Sequence, residues 1–541
     1  RGLGDVYKRQ PGMKVLKAKI VFNNKLNPDQ TIDRRKCRWV GCGYAQIPNV
    51  HYDKTYQATA KSTSVRLFFS FLAFFDLNDI MIDVVKAYTH SELDMTIYCE
   101  QMPGFIQRDP ITGQPYVCKL LKALEGLKQA GYLWQQETIK FMTSDEIGFK
   151  QLWCEPCLFV KSTKDGIIIA LVWVDDFAIG YNNRTMFDDF YSKYSARFNA
   201  KLIDKIDKFV GILVTRDRAR RQVILKQTDL VEKITGKFFP NPSVLKTIHS
   251  PAWFMDKSER IHTYSKLGLA TSDADNALKA GKPYLSLVAS ILYIACMTRP
   301  DISFYVAQLC RYMSAPTLEC YKRAEELLAY VYHTRNMGLT YGGTELRLPD
   351  VQSYTDKLNI DEVKFKANMG LHAYSDASWK VDDTYAGHVI MANNAAIDWS
   401  AKLLKVKASS AEAEMSAGCL ATKRILFVRN VMTELLKLFD KTLIGATPLL
   451  IDNSAAIELS ENVGVSKKTE HFKRWQQTLR DETNNGVIKP LFIRTKWQVA
   501  DILTKVVSRK LLWQMRDVMI NRVSSSIKAM ITEAIKASAL G

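Results

Sequence analysis

The stretch Leu171-Val-Trp-Val-Asp175-Asp176-Phe-Ala-Ile-Gly180 places two adjacent carboxylates between two apolar segments. Gly166–Val174 is a continuous apolar run rich in β-branched residues, and Phe177–Gly180 resumes the pattern after the acids. This arrangement predicts a β-hairpin with the acids at its tip. Neighbouring side chains of a strand point to opposite faces, so one aspartate can face a cleft while the other supports the turn. Asp is common in turns, so the pair alone is weak evidence for a site.

A third acid lies in another apolar segment, at Asp83 in Met81-Ile-Asp83-Val-Val-Lys-Ala-Tyr88. Carboxylates brought together from different strands repel one another unless a divalent cation lies between them, and oxygen ligands of this kind suit Mg²⁺. Two-metal phosphoryl transfer requires such a set, because one ion activates the attacking hydroxyl and the other supports the leaving oxygen. Asp83, Asp175 and Asp176 are therefore candidate catalytic metal ligands.

The composition is that of a folded and strongly basic protein. The 541 residues include 75 Lys and Arg against 56 Asp and Glu, which gives a formal net charge of +19. This charge favours nucleic acid as the partner, with an anionic membrane surface as the weaker alternative. The length predicts about three or four domains. No apolar run reaches the roughly 18 residues of a membrane span, and Val65–Phe75, interrupted by Arg66 and Ser70, is interpreted as a buried helix.

A second group of acids follows from His372 onward, where the pattern is strand, strand, strand, helix, strand, helix, strand. Each acid alone is typical of a strand end or a helix cap. Four of them at the ends of successive elements favour two-metal hydrolysis of a phosphodiester, with water as the nucleophile. These candidate ligands are Asp376, Glu414, Asp452 and Asp501, with Glu412 as the alternative to Glu414.

Over residues 30–510 the chain resembles the reverse transcriptase and ribonuclease H portion of a copia-type retrotransposon polyprotein. The resemblance rests on the order and spacing of five motifs. The motifs are Lys36-Cys-Arg38-Trp-Val, Asp83-Val84, Gly126-Leu-Lys-Gln129-Ala130, Trp173-Val-Asp175-Asp176 and Thr298-Arg-Pro-Asp301. The resemblance implies a fold of the α/β class, with a right-hand polymerase (fingers, α+β palm and thumb) followed by a ribonuclease H-like α/β domain.

The expected domains follow from the same resemblance and from shifts in composition. Asp5–Gln10 looks like the translation of a sequencing-library adapter, so residues 1–10 are predicted to be an assembly artefact outside the fold. The remaining predicted segments are residues 11–240 for fingers and palm, 241–365 for a linker with thumb and connection helices, 366–510 for the ribonuclease H-like domain and 511–541 for a helical tail.

The resemblance also implies individual roles in the polymerase. Asp83 and Asp175 correspond to the principal metal ligands, and Asp176 to a third, less essential acid. The implied nucleotide-binding residues are Lys36 and Arg38 at the incoming triphosphate, Tyr88 under the incoming sugar, where it blocks a 2′-hydroxyl, and Gln129 near that sugar. From the sequence alone, Lys36 and Arg38 fit an ordinary solvated basic strand. Trp173 stands where the family has tyrosine, at a position beside the primer end.

In the ribonuclease H-like region the resemblance implies Asp376, Glu414, Asp452 and Asp501 as catalytic metal ligands. Glu414 is preferred to Glu412 because Met415-Ser-Ala follows it as in the family motif. His471 matches a family histidine, so it and Trp173 are candidate substrate contacts, whereas a later family histidine corresponds to Gln477.

The resemblance implies Mg²⁺ as the cofactor, two ions per active site, with Mn²⁺ as an alternative ion. The implied partners are an RNA template, a DNA primer, an RNA–DNA hybrid and deoxynucleoside triphosphates, with integrase and capsid parts of the same polyprotein as further candidates and no membrane. Ten cysteines and the absence of a signal-peptide pattern favour an intracellular location. The family implies a cytoplasmic, particle-associated protein that can enter the nucleus.

Two functions remain open at this point. In the first, the chain copies RNA into DNA from a primer and degrades the RNA strand of the resulting hybrid. In the second, it is a decayed or repurposed remnant that binds nucleic acid without polymerising, and a nuclease whose polymerase is blocked by Trp173 is the intermediate case. All seven candidate acids are present, which argues against random decay.

Overall fold

The computed structural model describes residues 4–26, 31–241, 245, 251, 267–343, 362–379, 383–404, 409–461 and 473–522. The chain divides into two compact units, one formed by Arg1–Ala60 with Asn78–Ile206 and the other by Lys61–Leu77 with Asp207–Gly541. By their contacts, residues 61–77 and 207–240 therefore belong to the second unit. The sequence had predicted them to belong to the polymerase region. The proposed domain boundaries stay predictions.

Three sheets form the first unit within the described residues. The largest has six strands in the order β12-β5-β11-β10-β9-β8, a second has the order β1-β7-β6-β2, and β3 pairs with β4 alone. The strands are β1 (Gly4–Tyr7), β2 (Val15–Leu16), β3 (Ala18–Leu26), β4 (Ile32–Gly41), β5 (Asn78–Val84), β6 (Glu92–Glu100), β7 (Val117–Lys122), β8 (Lys150–Leu152), β9 (Glu155–Thr163), β10 (Gly166–Trp173), β11 (Asp176–Tyr181) and β12 (Ala200–Ile203).

The predicted hairpin is confirmed by β10 and β11, which pair in antiparallel register from Ile168 opposite Tyr181 to Trp173 opposite Asp176. The helices Ala130–Met142 and Arg184–Arg197 belong to the same unit. The second helix begins at the cap residue Asn183, whose side chain accepts a hydrogen bond from the Met186 N–H. Its aromatic residues pack into the cluster of apolar side chains on the six-stranded sheet, and this core fixes the hairpin that carries the acids.

Gly4–Tyr7, expected to lie outside the fold, forms strand β1 and pairs with β7. The adjacent Lys8 ammonium lies 2.8 Å from the carboxylate of Asp109. The origin of residues 1–10 stays a prediction, but the structure includes Gly4–Tyr7 in the four-stranded sheet.

The second unit contains two sheets within its described residues. The first has the order β13-β14-β15-β16, and the second has the order β19-β18-β17-β20-β21. In the latter, β17 to β19 are antiparallel while β17, β20 and β21 are parallel. The strands are β13 (Lys208–Phe209), β14 (Ile212–Asp217), β15 (Gln222–Lys226), β16 (Leu339–Gly342), β17 (His372–Ser378), β18 (Tyr385–Ala392), β19 (Ala395–Leu403), β20 (Thr447–Ile451) and β21 (Ile488–Phe492).

Helices cover and connect these sheets. The described helices of the second unit are Ser62–Phe74, Thr228–Phe238, Tyr284–Met297, Ser303–Cys310, Leu318–His333, Glu362–Ala367, Ser410–Lys437, Ser454–Glu461, Lys473–Asn484 and Arg509–Met519. The order from β17 confirms the predicted α/β pattern, except that two helices rather than one precede β21. Ser62–Phe74 is the expected buried helix. A six-stranded antiparallel palm-type sheet and a mixed ribonuclease H-like sheet together confirm the predicted fold class.

The motif Thr298-Arg-Pro-Asp301 forms a buried polar cluster. Arg299 donates two hydrogen bonds of 2.8 Å to the carboxylate of Asp301, and the Tyr330 hydroxyl donates a third to the same group. The Arg516 guanidinium lies 3.4 Å from that hydroxyl. A buried charge is costly unless it is paired, and here the charged residues of the motif are paired with each other and with neighbouring helices. The motif therefore has a structural role, since it joins three helical segments.

Among the described residues no helix is both long and apolar enough to cross a membrane.

Candidate active sites

The polymerase-type acids meet at one end of the six-stranded sheet. Asp83 near the end of β5 lies directly opposite Asp176 at the start of β11. Asp175 occupies the turn before β11, and its carbonyl oxygen accepts a 3.1 Å hydrogen bond from the Val84 N–H. Backbone pairing therefore brings together three acids from two distant parts of the chain.

The turn itself has an unusual backbone. Val174 has a φ of +58°, in the left-handed region that a β-branched residue rarely adopts. Its carbonyl oxygen accepts a 2.6 Å hydrogen bond from the indole N–H of Trp134, a fully buried residue of the helix Ala130–Met142. A strained backbone conformation persists only where surrounding contacts hold it in place. Here the hydrogen bond from Trp134 holds Val174, and this sets the position of the next residue, Asp175.

The electrostatics of this group favour a bound cation. Burial and the charges of Asp175 and Asp83 raise the pKa of Asp176 to about 6. Burial also raises the pKa of Asp175, and the charge of Asp83 adds to this, whereas Lys36 and Arg38 act in the opposite direction. Partly buried carboxylates that lie close together oppose one another's ionisation. A hard divalent ion bound between them stabilises the ionised form, and oxygen ligands of this kind suit such an ion. The residues therefore fit the expected Mg²⁺.

Lys36 and Arg38 lie on β4, and both act electrostatically on Asp175. Arg38 also forms an ion pair with Glu125, with 2.9 Å between Nε and Oε2. Tyr88 belongs to the same surroundings, since burial raises its pKa and the charges of Asp175 and Glu125 raise it further. These three nucleotide-binding candidates thus lie around the acids.

Gln129 is different, because its side chain is fully buried and both of its polar atoms are used inside the protein. The amide nitrogen donates to the His51 carbonyl oxygen at 2.6 Å, and the amide oxygen accepts from Gln46 at 2.9 Å. A direct contact with a nucleotide would require these buried bonds to break. Trp173, in contrast, is half-buried at the end of β10, opposite Asp176.

The second group of acids lies on the ribonuclease H-like sheet. Asp376 is on β17, Asp452 directly follows β20, and Asp501 is in a short 3-10 helix, Val499–Leu503. Carboxylate oxygens of these three acids lie within 4.8 Å of one another. The 3-10 helix is fixed by Gln498, which caps it and donates a 3.0 Å hydrogen bond to the Ser375 carbonyl oxygen.

Glu414, on the helix Ser410–Lys437, lies near this group. Its pKa is raised to about 9, first by burial and then by the charges of Asp376 and Asp452. Its Oε2 atom is buried and has no hydrogen-bond partner within the described residues. An orphaned carboxylate oxygen near Asp376 and Asp452 fits a site for divalent cations. Glu412 instead lies in the first turn, where its N–H bonds to the cap residue Ser409.

Two further residues touch these acids and were given no role by sequence reasoning. The Thr504 hydroxyl donates a short hydrogen bond to Asp376. The Lys505 ammonium lies 2.8 Å from Asp501 Oδ1 and 3.7 Å from Asp376 Oδ2. Their spacing of three and four residues after Asp501 is the signal that could have indicated them. The candidate contact His471 lies outside the described residues, and Gln477 is exposed on the helix Lys473–Asn484.

Residues 5–245 match the family model described as reverse transcriptase (RNA-dependent DNA polymerase). The Pol polyprotein of transposon TNT 1-94 from Nicotiana tabacum is 29% identical over 92% of this chain and 35% of its own length. That of transposon RE1 from Arabidopsis thaliana is 30% identical over 90% of the chain and 30% of its own length.

The chain thus spans about a third of the length of these curated relatives. Among solved structures, a foamy viral protease-reverse transcriptase in complex with double-stranded DNA aligns over 91% of this chain and 67% of its own. That alignment has 10% identity and a TM-score of 0.43. The reverse transcriptase model and the curated relatives, which are Ty1/copia-type retrotransposon Pol polyproteins aligned over at least 90% of these residues, thus confirm the predicted resemblance.

Proposed function

We propose that the chain is an RNA-directed DNA polymerase with an attached ribonuclease H that degrades RNA in RNA–DNA hybrids, both by two-metal phosphoryl transfer. The observation that carries this proposal is the presence of two acid groups, one in each compact unit. The first comprises Asp83, Asp175 and Asp176, and the second comprises Asp376, Glu414, Asp452 and Asp501. Mg²⁺ bound at either group would supply charge neutralisation and an activated oxygen nucleophile.

In the polymerase site the protein's own residues bind and orient the reactants. Asp83 and Asp175 would hold the metal, and Lys36 and Arg38 neutralise the triphosphate of the incoming deoxynucleotide, a role that suits the planar guanidinium of Arg38. Tyr88 lies under the sugar and excludes a 2′-hydroxyl. Gln129, given its buried hydrogen bonds, acts as a positioning residue for the segment containing His51 rather than as a nucleotide ligand.

In the nuclease site, Asp376 and Asp452 are the central acids, because both lie close to Asp501 and both influence the ionisation of Glu414. Thr504 orients the Asp376 carboxylate by donating to one oxygen. The four acids would hold the metal, and the scissile phosphate of the RNA strand would bind at this group. His471 remains a proposed substrate contact on the basis of the family resemblance.

The proposed partners are an RNA template, a DNA primer, the hybrid and deoxynucleoside triphosphates, together with integrase and capsid parts of the polyprotein. The net charge of +19 supports binding to the nucleic-acid backbone, which releases counterions and weakens as salt rises. An affinity for hybrid that does not fall between low and high salt would contradict this. We propose a cytoplasmic, particle-associated location with access to the nucleus.

Primer extension tests the polymerase most simply. A DNA primer on an RNA template is extended in Mg²⁺ by the full chain, by Asp175→Asn and by the control Asp189→Asn, which alters an acid on the helix Arg184–Arg197 that lies outside the acid group. We expect extension by the first and third proteins and none by the second. Equal extension by all three would refute the assigned site.

A nuclease with a blocked polymerase is the second candidate function, and the position of Trp173 opposite Asp176 favours it. An indole is bulkier than the phenol found in the family at this position, which lies beside the primer end. Cleavage of hybrid RNA without any extension, together with extension by Trp173→Tyr, would establish this candidate instead.

A further inference from the structure

We propose that Lys505 is a positioning residue of the nuclease site, whose ammonium group holds Asp376 and Asp501 together in the metal-free protein and is displaced when a divalent cation binds. This inference rests on the proposed nuclease function. It goes beyond that function because it predicts how tightly the site binds metal and how stable the protein is without it.

The ammonium group lies where a cation is needed. Its nitrogen is 2.8 Å from Asp501 Oδ1 and 3.7 Å from Asp376 Oδ2. The side chains of the two acids are only 4% and 3% exposed, whereas that of Lys505 is 37% exposed. The acids are therefore fixed in the protein interior, and Lys505 reaches them from the solvent side. A side chain with this exposure can leave without disturbing the core.

The backbone fixes Lys505 at this position. The N–H groups of Thr504 and Lys505 both bond to the Asp501 carbonyl oxygen at 3.2 Å, which closes one turn over the acid. The Thr504 carbonyl oxygen accepts a 2.7 Å hydrogen bond from the Ser378 hydroxyl, which anchors the turn to β17. Lysine four residues after an aspartate on such a turn faces the carboxylate.

The close approach of this turn to the sheet depends on Gly387 of β18, which lies opposite Asp376. A Cβ atom at this position would come within 2.8 Å of a Thr504 side-chain carbon and within 2.9 Å of Leu503 Cβ. Any larger residue would push the segment that carries Asp501 and Lys505 away from Asp376. Glycine is thus required here for packing, which supports a precise placement of the lysine.

Competition between the ammonium and a divalent ion follows from Coulomb's law. Without metal, carboxylates within 4.8 Å repel one another, and one positive charge between them offsets part of that repulsion. A metal ion must displace this charge before it can bind the same oxygens. Removal of the charge should therefore tighten metal binding and destabilise the metal-free protein.

The test measures Mn²⁺ binding by electron paramagnetic resonance in a protein whose polymerase site is silenced by Asp83→Asn and Asp175→Asn. Lys505→Met removes the charge and keeps the stem, Lys505→Arg keeps the charge, and Lys510→Met is the matched exposed control on the helix Arg509–Met519. Thermal unfolding without metal is measured for the same proteins.

We expect Lys505→Met to lower the Kd for Mn²⁺ by about fivefold, the size of a partly solvated ion pair, and to lower the Tm of the metal-free protein. Lys505→Arg and Lys510→Met should change the Kd for Mn²⁺ and the Tm of the metal-free protein by less than Lys505→Met does. If Lys505→Met binds Mn²⁺ no more tightly than its parent, while Asp376→Asn abolishes binding, the inference about Lys505 is wrong and the nuclease site stands. If the parent protein does not bind Mn²⁺ at all, the proposed nuclease function itself fails.

Discussion

Asp83 and Asp176 lie directly opposite each other on two antiparallel strands, although more than ninety residues separate them in the chain. Burial raises the pKa of Asp176 to about 6, with further contributions from Asp175 and Asp83. A sheet that places like charges in register is destabilised unless a ligand stabilises them. The pairing thus supports the proposal that this end of the sheet binds a divalent cation.

Tyr88 should control the choice between deoxyribonucleotides and ribonucleotides. Its half-buried ring packs against the apolar side chains of the sheet and lies near Asp175. Tyr88→Ala should lower the preference for deoxynucleotides at least about tenfold, because removing a packed ring opens space for the 2′-hydroxyl. Tyr88→Phe keeps the ring and is the matched control. The measurement is the ratio of kcat/KM for the two nucleotides, and an unchanged ratio in Tyr88→Ala would contradict the assigned role.

The two candidate glutamates of the nuclease site can be separated by substitution. Glu414→Gln should reduce cleavage of hybrid RNA by at least about a hundredfold, since it removes a charged ligand of the metal. Glu412→Gln, on the same helix, should keep activity within a few fold. Rates are measured with both proteins shown to be folded by circular dichroism. A larger loss in Glu412→Gln would reverse the assignment.

The buried cluster around Asp301 should dominate the stability of its unit. Asp301→Asn leaves the Arg299 guanidinium buried without its counter-charge and should cost about 3–5 kcal/mol. Asp229→Asn is the control, because Asp229 forms a 3.0 Å ion pair with Lys208 in which both side chains are 53% exposed; such a pair contributes at most about 1 kcal/mol. Urea unfolding of both variants checks the difference, and equal midpoints would show that the cluster contributes little.

Asp398 should make the second unit sensitive to acid. Burial opposes its ionisation, yet hydrogen bonds from Arg424 and His388 hold the pKa of Asp398 well below its usual range. A carboxylate with a depressed pKa in the folded state stabilises the fold above its unfolded value of about 4, and this stability is lost as the pH falls further. Asp398→Asn should therefore lower the Tm at pH 7 and flatten its decline below pH 4. If the Tm of the parent protein and that of Asp398→Asn fall equally as the pH is lowered, Asp398 does not contribute to the acid sensitivity.

Much of the fold could be predicted because its signals are local. The run before Asp175 predicted the hairpin, and the succession of strands and helices after His372 predicted the mixed sheet. The seven candidate acids were predicted from their places at the ends of elements and from the family motifs, and their roles stay predictions. Pairing partners such as Asp83 and Asp176 depend on register, which local periodicity does not determine.

The features that sequence reasoning missed depend on tertiary contacts. Gln129 was expected beside the nucleotide, but its amide is used by Gln46 and His51, which lie far away in the chain. Lys505 was given no role, because its partner Asp376 comes from a distant strand. The helix Ser62–Phe74 groups with the second unit for the same reason: Arg66 donates to the backbone of Ile397.

The central claim is that one chain carries two independent sites for phosphoryl transfer. The most direct test follows both reactions on one substrate, a DNA primer annealed to an RNA template labelled on the RNA, with the full chain, Asp175→Asn and Asp376→Asn. We predict that Asp175→Asn cleaves the RNA of the hybrid without extending the primer, and that Asp376→Asn extends the primer without cleaving. A folded variant that loses both reactions would contradict two separate sites. A folded variant that keeps both reactions would contradict them as well.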